Sequence, residues 1–600
     1  ADSGQVSNTN GAIGDGGGST GMVTVTGGGS TWTNDGELEI GDSGEGVLII
    51  ADGGVVSSTT AVLADSSNSI GTLTVSDNGS TWTNSDLLTI GRIGQGTLTI
   101  SLGGQVSSVG GIIGATSPST GTATITGAGS SWTNTGLLRI GNLGQGVLTI
   151  ESNGHASTDS VVIGTDTGSS GQVTVDDATW DIDGSLSVGG IGDGVLDVIN
   201  GGVVTSGLGS FKVEGPRATS SALVSGQGSR WEMTGDLDVG DDGSGALTLQ
   251  DQGVVQVGGN LEIFATGTIT LDGGSLVTQS MDHANGGVFN FIAGSLTVNN
   301  GLNIGNDPSG VFPGSFTLNS DRQLITLGLT TIAPFRTLTI DGGQLRTGDL
   351  DIQGTLDFIR GTLAFIGAGG LTVGAAGPFG SSLSVESGQT LEVSNVLTVD
   401  NGAALDLEGG DLQAGTIQVS GVLRGDGIIN GLLSITNIGE LQVLPGDHLF
   451  HEGIFNATSS GQITLAGGQV HFANQFNILG SGLVIGNGTL RADLLINNSG
   501  DMAFSATTIV IGDVTNTASG TIITAGGTTT FFDDVTNNGE IRTNENSFAV
   551  YFGSYSGNGD TGTGTVVMEG DLKPGSSPGE LRSGGNLRFG PEAGFVRETG

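Results

Sequence analysis

Residues 79–108 read GSTWTNSDLLTIGRIGQGTLTISLGGQVSS, and residues 129–150 read GSSWTNTGLLRIGNLGQGVLTI. The second stretch repeats the first at an offset of 50 residues. All five tryptophans keep that period, at Trp32, Trp82, Trp132, Trp180 and Trp231, with gaps of 50, 50, 48 and 51. Two further ladders have the same gaps: Leu48, Leu98, Leu148, Leu196 and Leu247, and Ile40, Ile90, Ile140, Val188 and Val239. Three apolar positions held in one register over five copies mark an internal repeat, which overrides any count of domains from length alone.

Each copy divides again. Residues 71–91 and 96–114 both run Gly, a β-rich stretch, a Gly turn, a second stretch, then Ile-Gly. Trp82 and Val106 hold matching places 24 residues apart, so the unit is about 25 residues, used twice per 50. Each unit contains three short runs, such as Val23-Thr24-Val25, Ser30-Thr31-Trp32-Thr33 and Glu37-Leu38-Glu39-Ile40. They alternate apolar and polar residues and favour Val, Ile and Thr, the chemistry of a strand with one buried face. Gly, Asn, Asp and Ser separate them and supply the backbone freedom of tight turns. No stretch carries a 3.6-residue apolar period, so almost no helix is expected.

The pattern predicts an all-β chain folded as a parallel right-handed β-solenoid, with about three short strands per coil. A propeller blade has four strands rather than three, and a sandwich would not hold so strict a register from the first Trp copy to the last. Coils stacked roughly 4.8 Å apart would bury the Ile/Val and Leu ladders as internal columns. About 25 coils at that spacing would extend on the order of 120 Å.

The style of repeat changes near residue 260. Residues 1–260 hold the Trp ladder with its 50-residue double coils. Twenty of the 21 phenylalanines and both tyrosines lie beyond, in 261–600. There, stretches such as LTVDNGAALDLEGGDLQAGTIQVSG (397–421) suggest an irregular Phe-rich solenoid with coils of about 20 residues. A separate C-terminal β region is the alternative. Pro216, Pro308, Pro313, Pro334 and Pro378 mark loops or kinks, with bends expected near 211–220 and 305–336. The first residues already match the repeat, and Asn586-Leu587-Arg588-Phe589 reads as a strand. Ends of this kind expose strand edges, so these residues are expected either to belong to a longer precursor or to pair head-to-tail between copies.

Composition excludes several function classes. With no cysteine, there is no disulfide framework, thiolate zinc site or Cys nucleophile. Acidic residues outnumber basic ones 59 to 16, for a formal charge of −43, and only Lys212 and Lys573 are lysines. Such a chain lacks the clustered cations that nucleic acid or anionic lipid would require. Glycine fills 116 of 600 positions, but the recurrence of those glycines at fixed places argues for corners rather than disorder. No apolar run approaches the roughly 20 residues of a membrane helix, so no membrane insertion is expected within these residues.

The order Gly-Ser-x-Trp-x-Asn, x-x-Leu-x-Ile-Gly, Gly-x-Gly-x-Leu-x-Ile, Gly-Gly-x-Val-x-Ser resembles the repeat of type V autotransporter passengers and PEP-CTERM-associated bacterial surface proteins. The likeness is close over about 20–155 and weaker over 156–260, where Trp180 and Trp231 lose the following Thr-Asn. Near the end, LKPGSSPGELRSGGNLRFG (572–590) resembles the Pro-Gly-x-Ser-Pro-Gly segment of such proteins. The resemblance implies a secreted bacterial β-solenoid at the cell surface or in the extracellular matrix, and it implies no single activity.

Candidate chemistry is sparse. Asp447-His448-Leu449-Phe450-His451-Glu452 and His471 form a conceivable metal set, since His451 and His471, 20 residues apart, could stack on adjacent coils, but scattered solvated histidines are the better reading. Residues three apart on a strand face opposite ways, which argues against His448 and His451 converging. Parallel β-helices can also carry polysaccharide lyases and hydrolases, whose paired carboxylates could lie among Asp176-Asp177, Asp181, Asp183, Asp236, Asp238 and Asp241-Asp242. The loops Gly41-Asp42-Ser43-Gly44-Glu45 and Gly240-Asp241-Asp242-Gly243-Ser244 offer oxygen ligands for calcium. The reading is a non-enzymatic structural or adhesive surface protein with no catalytic, cofactor or metal residue assigned, calcium being the open alternative. Its expected partners are copies of itself, head-to-tail or lateral, with any host or cell-surface glycan or protein unspecified.

Overall fold

The computed structural model describes residues 3–212, 219–241, 243–283, 286–305, 312, 314–575 and 580–596. Among these there is no α-helix, and the strands pair in parallel from one coil to the next as a β-solenoid. Three strands make a coil. Ile70–Ser76, Thr81–Asn84 and Leu87–Ile90 pair with Gln95–Ser101, Gln105–Ser108 and Gly110–Ile113 of the next coil.

Period-two alternation buries one face of every strand. Leu48, Leu73, Leu98, Ala123, Leu148, Val173 and Leu196 lie beside one another in consecutive coils, all fully buried. Ile13, Ile40, Leu63, Ile90, Ile113, Ile140 and Ile163 form a second inner column. The repeated Ile-Gly has a steric reason at Gly91. Its φ is +72°, and a Cβ there would lie 2.2 Å from the Thr120 carbonyl oxygen. Glycine is favoured at this corner, although Ala64 makes the matching turn one coil earlier at φ +59°.

The Trp-Thr-Asn signature is a hydrogen-bond device. Trp82 stacks between Val56 and Val106, and Trp132 between Val106 and Ala156. The Trp132 indole N–H donates to Ser108 Oγ (3.1 Å), and that hydroxyl donates to Asn134 Oδ1 (3.3 Å). Trp82, Ser58 and Asn84 repeat the relay one period earlier. Where Trp180 and Trp231 lack the Asn, buried Ile182 and Met233 take its place, while the indoles still donate to Thr158 (2.9 Å) and Ser206 (3.1 Å). A buried Trp needs a partner for its N–H, and the hydroxyl of the preceding coil supplies it in both styles of rung.

Two compact units are present, Ala1–Phe316 with Asp321–Arg336, and Thr317–Ser320 with Thr337–Gly600. Within the first, the coils shorten late: Leu247 pairs with Ile269, and Ile269 then pairs with Phe289. Within the second, coil length varies, from the short step between Leu405 and Leu423 to the longer one between Leu441 and Ile463. Its interior holds ring stacks, Phe472 on Phe476 at 4.3 Å and Phe531 on Tyr551 at 4.9 Å. It also holds an amide ladder. Asn498 donates to Asn516 (2.8 Å), Asn516 to Asn537 (2.7 Å), and Asn537 to the Tyr555 hydroxyl (3.1 Å). Asn586–Phe589 is a strand, paired with Thr565–Met568. Pro216, Pro308, Pro313 and residues 576–579 lie outside the described residues, with most of the bend expected at 211–220.

Candidate functional site

One oxygen each from Glu39, Asp42 and Asp65 lies within 4.8 Å of the others. The stacking of Ile13, Ile40, Leu63 and Ile90 explains this meeting. Two residues further along, the same register aligns the corner residues Asp15, Asp42, Asp65 and Arg92 in a column. Glu39 stands just before the Ile40 rung, facing outward. Arg92 Nη1 ends the column, 2.7 Å from Asp65 Oδ1.

Crowding sets the electrostatics. Burial, and then the carboxylates of Asp42, Glu37 and Asp65, push the Glu39 carboxyl above its ordinary range, with Arg92 pulling the other way. Burial and a hydrogen bond shared with Asp15 do the same to Asp42. A hard cation takes oxygen ligands and would relieve this repulsion, so Glu39, Asp42 and Asp65 are the residues that could hold one. Arg92 already neutralises one of the three. Of the two calcium-type loops read in the sequence, the first contributes Asp42 to this corner. At the second, Asp238, Glu262 and Asp282 occupy matching places on successive coils. Burial, then Asp238, Asp282 and Asp241, raise the Glu262 carboxyl. Asp242 is outside the described residues.

Three of the aspartates considered for catalysis bond to the next coil. Asp176 accepts from Asn200 Nδ2 (3.0 Å), Asp181 from the Thr205 hydroxyl (2.8 Å) and Asp236 from the Asn260 backbone N–H (2.7 Å). Asp183 sits at a corner, where its backbone N–H donates to the Thr158 carbonyl.

His451 and His471 do not stack on adjacent coils. The coil is one residue longer than their separation, so His451 pairs with Phe472, and His471 lies beside Phe450. A one-residue difference reverses the face on a strand. His451 therefore points inward, fully buried, with Nε2 2.7 Å from the Gly431 carbonyl. Burial lowers its pKa, against the pull of that hydrogen bond. His471 faces outward, stacked on Phe450 at 4.6 Å and 3.0 Å from Asp493 Oδ2. His448 is exposed. His155 bonds to Thr179 Oγ1 (2.9 Å), and His283 Nε2 meets the Gly287 carbonyl. The histidines therefore do not form the metal set considered from sequence. Glu39 and Asp65 escaped the sequence reading. Their signal was the coil offset itself, since Asp65 follows Asp42 by one coil.

No family model matches the sequence, and no curated protein matches it. Among solved structures, similarity is found to the crystal structure of a TibC-catalysed, hyper-glycosylated fragment of TibA. It is 17% identical, covers 59% of this chain and 97% of that one, and has a TM-score of 0.29.

Proposed function

We propose that the chain is a secreted bacterial cell-surface β-solenoid with a structural or adhesive role, one that projects, spaces or self-assembles. The observation that carries this reading is where the polar and charged groups go. Inner hydroxyls and amides join one coil to the next, as in Trp132–Ser108–Asn134 and Asn498–Asn516–Asn537, and outer aspartates such as Asp181 and Asp236 do the same. Coils built this way offer repeated outer faces rather than a pocket around reacting groups. The resemblance of its Trp repeat to autotransporter passengers and PEP-CTERM-associated proteins supports the surface location.

Antibodies raised against the purified protein test the location by immunogold labelling of intact source cells. Labelling at the outer surface or in shed material is expected, and labelling confined to the cytoplasm overturns the proposal. Electron microscopy at high protein concentration tests assembly, because uniformly dispersed monomers would remove self-association from the reading.

A further inference from the structure

In the second unit, one outer face differs from another. The column Thr458, Asn477, Asn497, Thr515, Thr536 and Ser556 is polar throughout. On another face, successive coils present Ile428, Phe450, His471, Arg491, Ile511, Phe532 and Phe552 as outward side chains in one column. Phe532 and Phe552 are 45% and 50% exposed, with rings stacked at 5.2 Å, and Ile428 is 37% exposed. Six steps at roughly 4.8 Å give a ridge on the order of 29 Å long. Its apolar ends, Ile428 with Phe450 and Ile511 with Phe532 and Phe552, flank His471 and Arg491, and exposed apolar side chains grouped around a polar centre mark an interaction surface.

We infer that this ridge is where a second copy of the chain docks, antiparallel, about a two-fold axis through the Arg491 rung. The inference rests on the self-associating reading above and assigns it a surface. Three observations select the occupant. The ridge side chains recur at the rung spacing, and another β-solenoid presents side chains at the same spacing. The column is also nearly palindromic about Arg491. An antiparallel two-fold sets Ile428 against Phe552 of the other copy, Phe450 against Phe532 and His471 against Ile511, each twice, as an isologous contact requires.

The third observation is charge. Copies that each carry −43 repel one another wherever carboxylates meet. At the centre of this ridge, Arg491 lies 2.8 Å from Asp493, so a symmetric contact brings two guanidinium groups and two carboxylates together with no net charge. The faces of Phe532 and Phe552 cover one another, leaving ring edges outward. That geometry suits interdigitation with a second ridge better than stacking against a sugar.

The chain has no cysteine, so a single introduced thiol reports one position. In the full chain, Thr489→Cys lies beside Arg491 on the axis rung. It should form a disulfide-linked dimer under mild oxidation, whereas Thr536→Cys on the polar face should not. In sedimentation velocity over a concentration series, Ile428→Asp and Phe552→Lys should each weaken dimerisation at least tenfold. The double variant should dimerise measurably better than the product of the two single effects would allow, because the residues touch across the axis. Circular dichroism confirms that each variant stays folded, and the cysteine pair carries the test if one does not. Association that survives both ridge substitutions, with equal cross-linking at 489 and 536, overturns the ridge while leaving self-association standing. A wild-type chain that stays monomeric throughout the series overturns both.

Discussion

The hydroxyl at Ser108 should stabilise its coil out of proportion to its size. It accepts from the Trp132 indole at 3.1 Å and donates to Asn134 at 3.3 Å, and all three residues are buried. Replacing the hydroxyl with a methyl group leaves two buried polar groups without this partner. At about 1–3 kcal/mol for each orphaned group, the loss is on the order of 2–6 kcal/mol. The structure provides a matched control. Thr158 fills the equivalent place beneath Trp180 and keeps the indole bond at 2.9 Å. Ser108→Thr should therefore be nearly neutral, and Ser108→Val, of the same shape as threonine without the hydroxyl, should carry the loss. Denaturant unfolding followed by tryptophan fluorescence reads the effect, since all five tryptophans belong to this part of the chain. If Ser108→Thr and Ser108→Val unfold at the same midpoint, the relay does not stabilise the solenoid, and the account of the Trp-x-Asn signature fails.

Other perturbations follow from the same packing. Folding holds the Glu39 carboxyl above its ordinary range, so ionising it works against the folded state. Glu39→Gln should raise the melting temperature at pH 7, and the gain should vanish on acidification below the usual carboxylate range. Calcium should stabilise the wild type in the same melting assay if the corner holds it, and Asp42→Asn should reduce that response. His451 behaves in the opposite sense. Its pKa is depressed in the fold, so stability present above the unfolded histidine range is lost as pH falls through it. His451→Leu should remove that acid sensitivity, read by hydrogen exchange over 440–476. Asn516→Ala interrupts the buried amide ladder and should cost about 1–3 kcal/mol, seen as faster exchange in the coils on either side.

The amino-acid sequence by itself determined the coil. A period of 50 divided into halves, with Trp, Leu and Ile in fixed register and alternating apolar residues between glycines, left little but a parallel solenoid. Stacked units of one kind can only bury a face that repeats at the coil length, so the interior columns of Leu98 and Ile90 were legible in the repeat alone. What the sequence could not show was register in places where coil length varies. His451 and His471 looked like neighbours on adjacent rungs, and a coil one residue longer put one in the core and turned the other outward. The same uncertainty hid the meeting of Glu39, Asp42 and Asp65, which belong to two coils of a chain full of acidic corners. The outward ridge from Ile428 to Phe552 was equally hidden, because no repeat motif joins its residues. Interior positions are constrained by packing and therefore write a pattern into the sequence. Exterior positions are free to vary, and only the fold decides which of them stand together.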